Sequence, residues 1–83
     1  MKALYFAWVR ERIGLSEEEI APPVEVATVR QLIDWLSARG EGYAIAFANP
    51  ATIRAAVDKS HAAPDAPIGA AREIAFFPPM TGG

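Results

Sequence analysis

Cysteine is absent from the 83-residue sequence. That excludes disulfides, thiolate metal sites and a nucleophilic thiol as properties of this chain. Histidine is nearly absent too, His61 being the only one. A zinc or other transition-metal site needs three or four converging N, S or O ligands, so no metal site is expected and His61 is read as a surface or interface residue. A basic stripe is missing and the net charge is −2, which implies neither nucleic acid nor an anionic membrane as a partner. Long hydrophobic runs are missing as well. The longest, Ala3 to Val9, is closed by Arg10, Glu11 and Arg12 and falls far short of the roughly 20 residues that a bilayer requires. The cleavage layout of a secretion signal is lacking, so a cytoplasmic protein is expected.

What is present is a globular balance of 52% apolar and 22% charged residues, enough for one compact domain. Met1 to Val9 is rich in aromatic and β-branched residues and ends in charge and then Gly14, which predicts a first strand. Alternation along it puts Ala3, Tyr5, Ala7 and Val9 on one face and Leu4, Phe6 and Trp8 on the other. Residues 16–27 read as a second strand, confined to an edge or interrupted by Pro22 and Pro23. Its run of Glu17, Glu18 and Glu19 reads as a solvated stretch.

"TVRQLIDWLSARG" predicts the main helix, with Thr28 as N-cap, Gln31 completing a capping box and Gly40 as the stop. Val29, Leu32, Ile33 and Leu36 form its apolar stripe, and Trp35 falls at the margin. Tyr43 to Ala48 is too short for periodicity to separate helix from strand. "TIRAAV" predicts a third strand, Asp58-Lys59 a turn into a brief extended piece around His61, and Ala63 to Ala71 connecting chain. "REIAFF" predicts the last strand, with Ile74 and Phe76 on one face and Ala75 and Phe77 on the other. The expected fold is α+β, a mixed sheet of four to five strands packed on one main helix. One helix covers one face only, so Phe6 and Phe77 are expected on an open apolar face, a usual contact surface.

Residues 1–77 would be this domain and 78–83 a tail. Pro78 and Pro79 hold φ near −65° and favour an extended path off the sheet. They also reduce the entropy lost when such a segment is bound. Gly82 and Gly83 would let backbone enter a slot too narrow for a Cβ, bringing a terminal carboxylate to a reaction centre in another protein. A diglycine alone is common in flexible ends; here it closes the sequence directly after a strand and a Pro-Pro spacer.

The segments "FAWVRERIG" (6–14), "TVRQL" (28–32), "AAV" (55–57) and "EIAFFPPMTGG" (73–83) resemble the small, sulfur-carrying subunits of molybdopterin synthase, β-grasp proteins similar in fold to ubiquitin. The resemblance spans the whole chain, and its most specific part is the Phe-Phe-Pro-Pro approach to the diglycine. It implies that Gly83 is adenylated by an E1-like activating enzyme with ATP, then converted to a thiocarboxylate with sulfur from a sulfurtransferase. The sulfur would pass to cyclic pyranopterin monophosphate inside the large synthase subunit, in a heterotetramer of two small and two large chains. Pro78, Pro79, Met80, Thr81 and Gly82 would enter the partner, and the sheet face of Phe6 and Phe77, with His61 nearby, would dock on it. The chain itself would bind no cofactor, its cargo being covalent sulfur at Gly83, and catalytic side chains would come from the large subunit. Two departures stand out: Asp58 where the family usually has Asn, and Gly69-Ala70-Ala71-Arg72 in place of an acidic glycine-containing turn. Other readings remain: the thiazole-forming carrier of thiamine synthesis, a protein modifier joined to lysines through Gly83, and an interaction domain with an inert tail.

Overall fold

Two apolar segments from opposite ends of the chain lie side by side at the centre of one sheet. The computed structural model describes residues 1–79. In it β1 (Lys2–Tyr5), β2 (Glu17–Glu19), β3 (Arg54–Val57), β4 (Ser60–Ala62) and β5 (Glu73–Phe77) form a five-stranded sheet in the order β2-β1-β5-β3-β4. The central pair, β1 and β5, is parallel and the other pairs are antiparallel. This is the mixed sheet expected for an α+β fold. Ala3 and Tyr5 of β1, Ile74 and Phe76 of β5 and Ala55 of β3 face the core. Against them lies α2 (Val29–Ser37), whose Val29, Leu32, Ile33 and Leu36 are all buried, each larger side chain contributing about 1.5–3 kcal/mol of hydrophobic stabilisation.

The start of α2 follows the sequence pattern. The Thr28 hydroxyl accepts from the Gln31 N–H at 3.2 Å and the Gln31 side chain accepts from the Thr28 N–H at 3.2 Å, a reciprocal cap of the kind that stabilises a helix by about 1 kcal/mol. Its end differs from expectation. The helix is capped at Ala38, and Gly40, in an extended conformation open to any residue, begins α3 (Glu41–Ala46) instead. The undecided segment around Tyr43 is therefore helical, and Trp35 is partly buried against the core.

The first strand is shorter than its apolar run suggested. It stops at Tyr5, and Ala7 to Ile13 form α1 (Ala7–Ile13), inserted between β1 and β2. The turn into α1 puts Ala7 at φ 51, which costs roughly 1–2 kcal/mol for a residue with a Cβ. Gly14 closes the helix at φ 90, its N–H donating to Arg10 O at 2.8 Å, so that glycine ends a helix and not a strand. The helix-spaced pairs are Val9 with Ile13, and Trp8 with Arg12, whose guanidinium lies 4.3 Å from the indole centroid. The second strand contracts to Glu17–Glu19, ending before Pro22 and Pro23, and it does occupy a sheet edge. The third begins at Arg54, because Pro50 opens a 3-10 turn over Pro50–Thr52. The main helix is thus accompanied by two shorter ones.

Asp58 and Lys59 make the β3–β4 turn with φ of 48° and 73°. Asp58 also stitches that turn to β5, its carboxylate accepting from the N–H groups of Arg72 at 2.9 Å and Glu73 at 3.0 Å. The Asp58 carboxylate therefore secures the turn by charge-assisted bonds.

Candidate functional site

The sheet's second face, away from α2, is built by the register of its strands. Lys2 pairs with Glu73, Leu4 with Ala75, and Ala75 in turn with Ala56, which pairs with His61. The Phe6 N–H donates to Phe76 O at 3.1 Å, carrying the β1–β5 ladder one residue further. Phe6 is thereby brought beside Phe77, and Phe77 pairs with Arg54. Strand alternation then places Leu4, Phe6, Ala75, Phe77, Ala56 and His61 on the open face. At one end this face is charged, with Lys2 3.5 Å from Glu17. At the other it is aromatic, with Phe6 46% exposed.

His61 stands edge-on to Phe77, ring centroids 5.5 Å apart and planes at 87°. On the strand between them His61 pairs with Ala56 and Phe77 with Arg54 two residues away, so the imidazole reaches Phe77 diagonally across the small Ala56. The structure thus groups Phe6, Phe77 and His61. Pro78 and Pro79 follow directly and are partly buried, while Met80, Thr81, Gly82 and Gly83 lie outside the described residues. Sequence reasoning put Leu4 on the Phe6 face of the first strand but did not bring Ala56 and Arg54 to that face. The two-residue alternation was available for each strand, but only the pairing register aligns one strand with the next.

Behind the face, on the core side of β2, Glu18 accepts from the Tyr5 hydroxyl at 2.8 Å and the Tyr43 hydroxyl at 2.6 Å and lies 3.4 Å from Arg39. The expectation of a fully solvated glutamate run is corrected here. Strand alternation turns Glu18 inward while Glu17 and Glu19 stay exposed. Burial first, and then the hydrogen bond to Glu18, pushes the Tyr5 phenol far above its ordinary range, and Tyr43 shifts upward for the same reasons. This network joins β1, β2, α2's end and α3, and it is remote from the aromatic face.

Among the described residues no cluster of three metal-binding side chains occurs, and His61 has no hydrogen-bonded side-chain partner. The arrangement is suited to docking. A nucleophile oriented by a base is not among its parts.

Residues 3–83 match the ThiS family. The chain is 36% identical over 83 residues to the molybdopterin synthase sulfur carrier subunit of Escherichia coli (strain K12), covering 100% of this chain and 99% of that one. Among solved structures it is similar to a putative molybdopterin converting factor, subunit 1, from Pyrococcus furiosus, with a TM-score of 0.74, 30% identity and 95% of each chain covered. It is also similar to SAMP1 from Haloferax volcanii, with a TM-score of 0.72, 25% identity and coverage of 100% and 98%. With its five-stranded mixed sheet in the ubiquitin-like β-grasp arrangement, the chain belongs to the ThiS family.

Proposed function

We propose that this chain is a sulfur carrier, acting as the small subunit of a molybdopterin synthase. One observation carries the reading: end-to-end likeness, at 36% identity, to a protein named for that role. The aromatic end of the open face, from which Pro78 leads away, is consistent with it.

The chemistry would run through the Gly83 carboxyl group. A carboxylate is a poor acyl donor because its charge is delocalised and its leaving group would be oxide. Attack of a Gly83 oxygen on the α-phosphate of ATP, in an E1-like enzyme, releases pyrophosphate and leaves an acyl adenylate. Sulfur delivered at the sulfide level by a sulfurtransferase then displaces AMP, giving the thiocarboxylate. In the large subunit the thiocarboxylate sulfur bonds to a carbon of cyclic pyranopterin monophosphate as that carbon's bond to oxygen breaks, the oxygen leaving as water or with the phosphate when the cyclic ester opens. Water cleaves the acyl–sulfur bond, restoring the Gly83 carboxylate and leaving sulfur on the pterin. Two such cycles supply the dithiolene of molybdopterin. Gly82 and Gly83 present no side chain against the attacking group. Pro78, Pro79, Met80 and Thr81 serve as the approach, and Phe6, Phe77 and His61 dock. Burying the anionic end requires a cation, which the large subunit supplies.

The test is the intact mass of the chain after incubation with ATP, the activating enzyme and a sulfur donor. The expected result is exchange of one carboxyl oxygen for sulfur, abolished by deleting Gly83 without loss of fold. Persistent higher-mass conjugates would mark a protein modifier, and an unchanged mass would mark an inert tail; either would overturn the proposal. Membership of the ThiS family also suits the thiazole-forming carrier of thiamine synthesis. Supplying the thiocarboxylated chain to each acceptor system separates the two, and sulfur transfer to the pterin is the expected outcome.

A further inference from the structure

A cation stands inside the aromatic end of the open sheet face. Arg54 opens β3 and pairs directly with Phe77, and its neighbour Ala55 faces the core, so strand alternation brings the Arg54 side chain out beside Phe77. At the other end of this face the cations are matched within the chain, Lys2 lying 3.5 Å from Glu17 and the Met1 ammonium 3.4 Å from Glu19. Arg54 is not. Among the described residues it is in no ion pair. Its guanidinium donates to Ala51 O at 3.2 Å, which holds the head near the turn before the strand and leaves its other N–H groups open.

The surroundings limit what this cation can meet. Pro78 follows Phe77 directly, so a partner that receives the segment beyond Phe77 closes over Arg54 as well. Covering an arginine without a counter-ion strips its hydration and gives nothing back. Residues 78–83 span about 19 Å on the extended path that Pro78 and Pro79 favour, which puts a substrate reached by Gly83 out of range of the Arg54 side chain. The anion has to come from the partner protein itself. A planar guanidinium is met best by a carboxylate, which it can bind in bidentate fashion.

We propose that Arg54 is a specificity-determining contact of the docking face, received by an aspartate or glutamate of the large synthase subunit set beside the apolar surface that covers Phe6 and Phe77. This assignment rests on the sulfur-carrier reading, which names the partner. Phe6 and Phe77 offer contact area that many apolar patches could cover, whereas a charge pair at one end of the face fixes the orientation and rejects a surface carrying a cation there. Orientation matters at this end, because the segment after Phe77 must enter the partner.

The test is calorimetric titration of the full chain into the large subunit at several salt concentrations, with Arg54→Gln and Arg54→Glu beside the wild type. Arg54 is exposed and its bond to Ala51 O lies at the surface, so both variants should keep the wild-type urea midpoint. Arg54→Gln should bind about tenfold more weakly and Arg54→Glu about a hundredfold more weakly at low salt. The deficit of Arg54→Glu should shrink as salt is raised, because screening relieves the repulsion between like charges. Lost packing alone would not respond to salt in this way. Wild-type affinity in both variants, or a deficit that salt leaves unchanged, would overturn the proposal and leave the sulfur-carrier reading standing. Failure of the wild-type chain to bind the large subunit would overturn both.

Discussion

At Glu18 a charge is held against the core by two phenols and a guanidinium. The raised pKa of Tyr5 makes this arrangement sensitive to alkali. In the unfolded chain its phenol loses its proton near pH 10, whereas in the native state burial and Glu18 keep it protonated well above that. Between those limits the native state binds more protons than the unfolded one, so stability falls as pH rises. The contribution is intact below about pH 10 and is lost progressively above it. The urea midpoint of the protein should therefore drop between neutral and strongly alkaline pH, and Tyr5→Phe should make that slope shallower. Identical slopes for the two proteins would place the alkaline sensitivity elsewhere. Nothing in "EEE" marks its middle residue as inward-facing, because the local sequence does not say which strand face meets the core.

Among the elements, α1 and α3 pack backbone to backbone at Gly42. A Cβ there would lie 2.7 Å from Arg12 O, and backbone atoms cannot swing aside as a side-chain end can. Gly42→Ala should gain up to about 1 kcal/mol in helix propensity but lose about 1–3 kcal/mol to overpacking. The expected net effect is a lower urea midpoint, and a higher one would contradict the packing account. The helices were unequally legible. For α2, Thr28 and Gln31 cap locally and the apolar stripe is strictly helical, so start and buried face both follow from the chain itself. For α1, the helix-spaced pair Val9 and Ile13 was present but submerged in an apolar run that alternation fits equally well. The switch to helix takes place at Ala7, whose positive φ no sequence pattern announces.

For the molecule as one body, the sheet face away from α2 offers a surface that is charged at one end and aromatic at the other. Phe6 is nearly half exposed and outside the buried cluster, so Phe6→Ser should change folding stability by less than about 1 kcal/mol. Under the proposed function it should weaken docking on the large synthase subunit by about tenfold or more, as loss of a central aromatic contact does. Denaturation and a binding titration on the same preparation separate the two effects. Unaltered binding would remove the aromatic end of the sheet from the docking surface.

The α2 cap and stripe, the two faces of β5, the Asp58-Lys59 turn and the family likeness were legible in the chain because each is written in neighbouring residues. Folding settled the rest: Phe6, Phe77 and His61 adjoin, and Glu18 turns inward. Those outcomes depend on how β1 pairs with β2 and β5 and how β3 pairs with β4 and β5. Such contacts join residues far apart in the chain, and local propensity carries no record of their register.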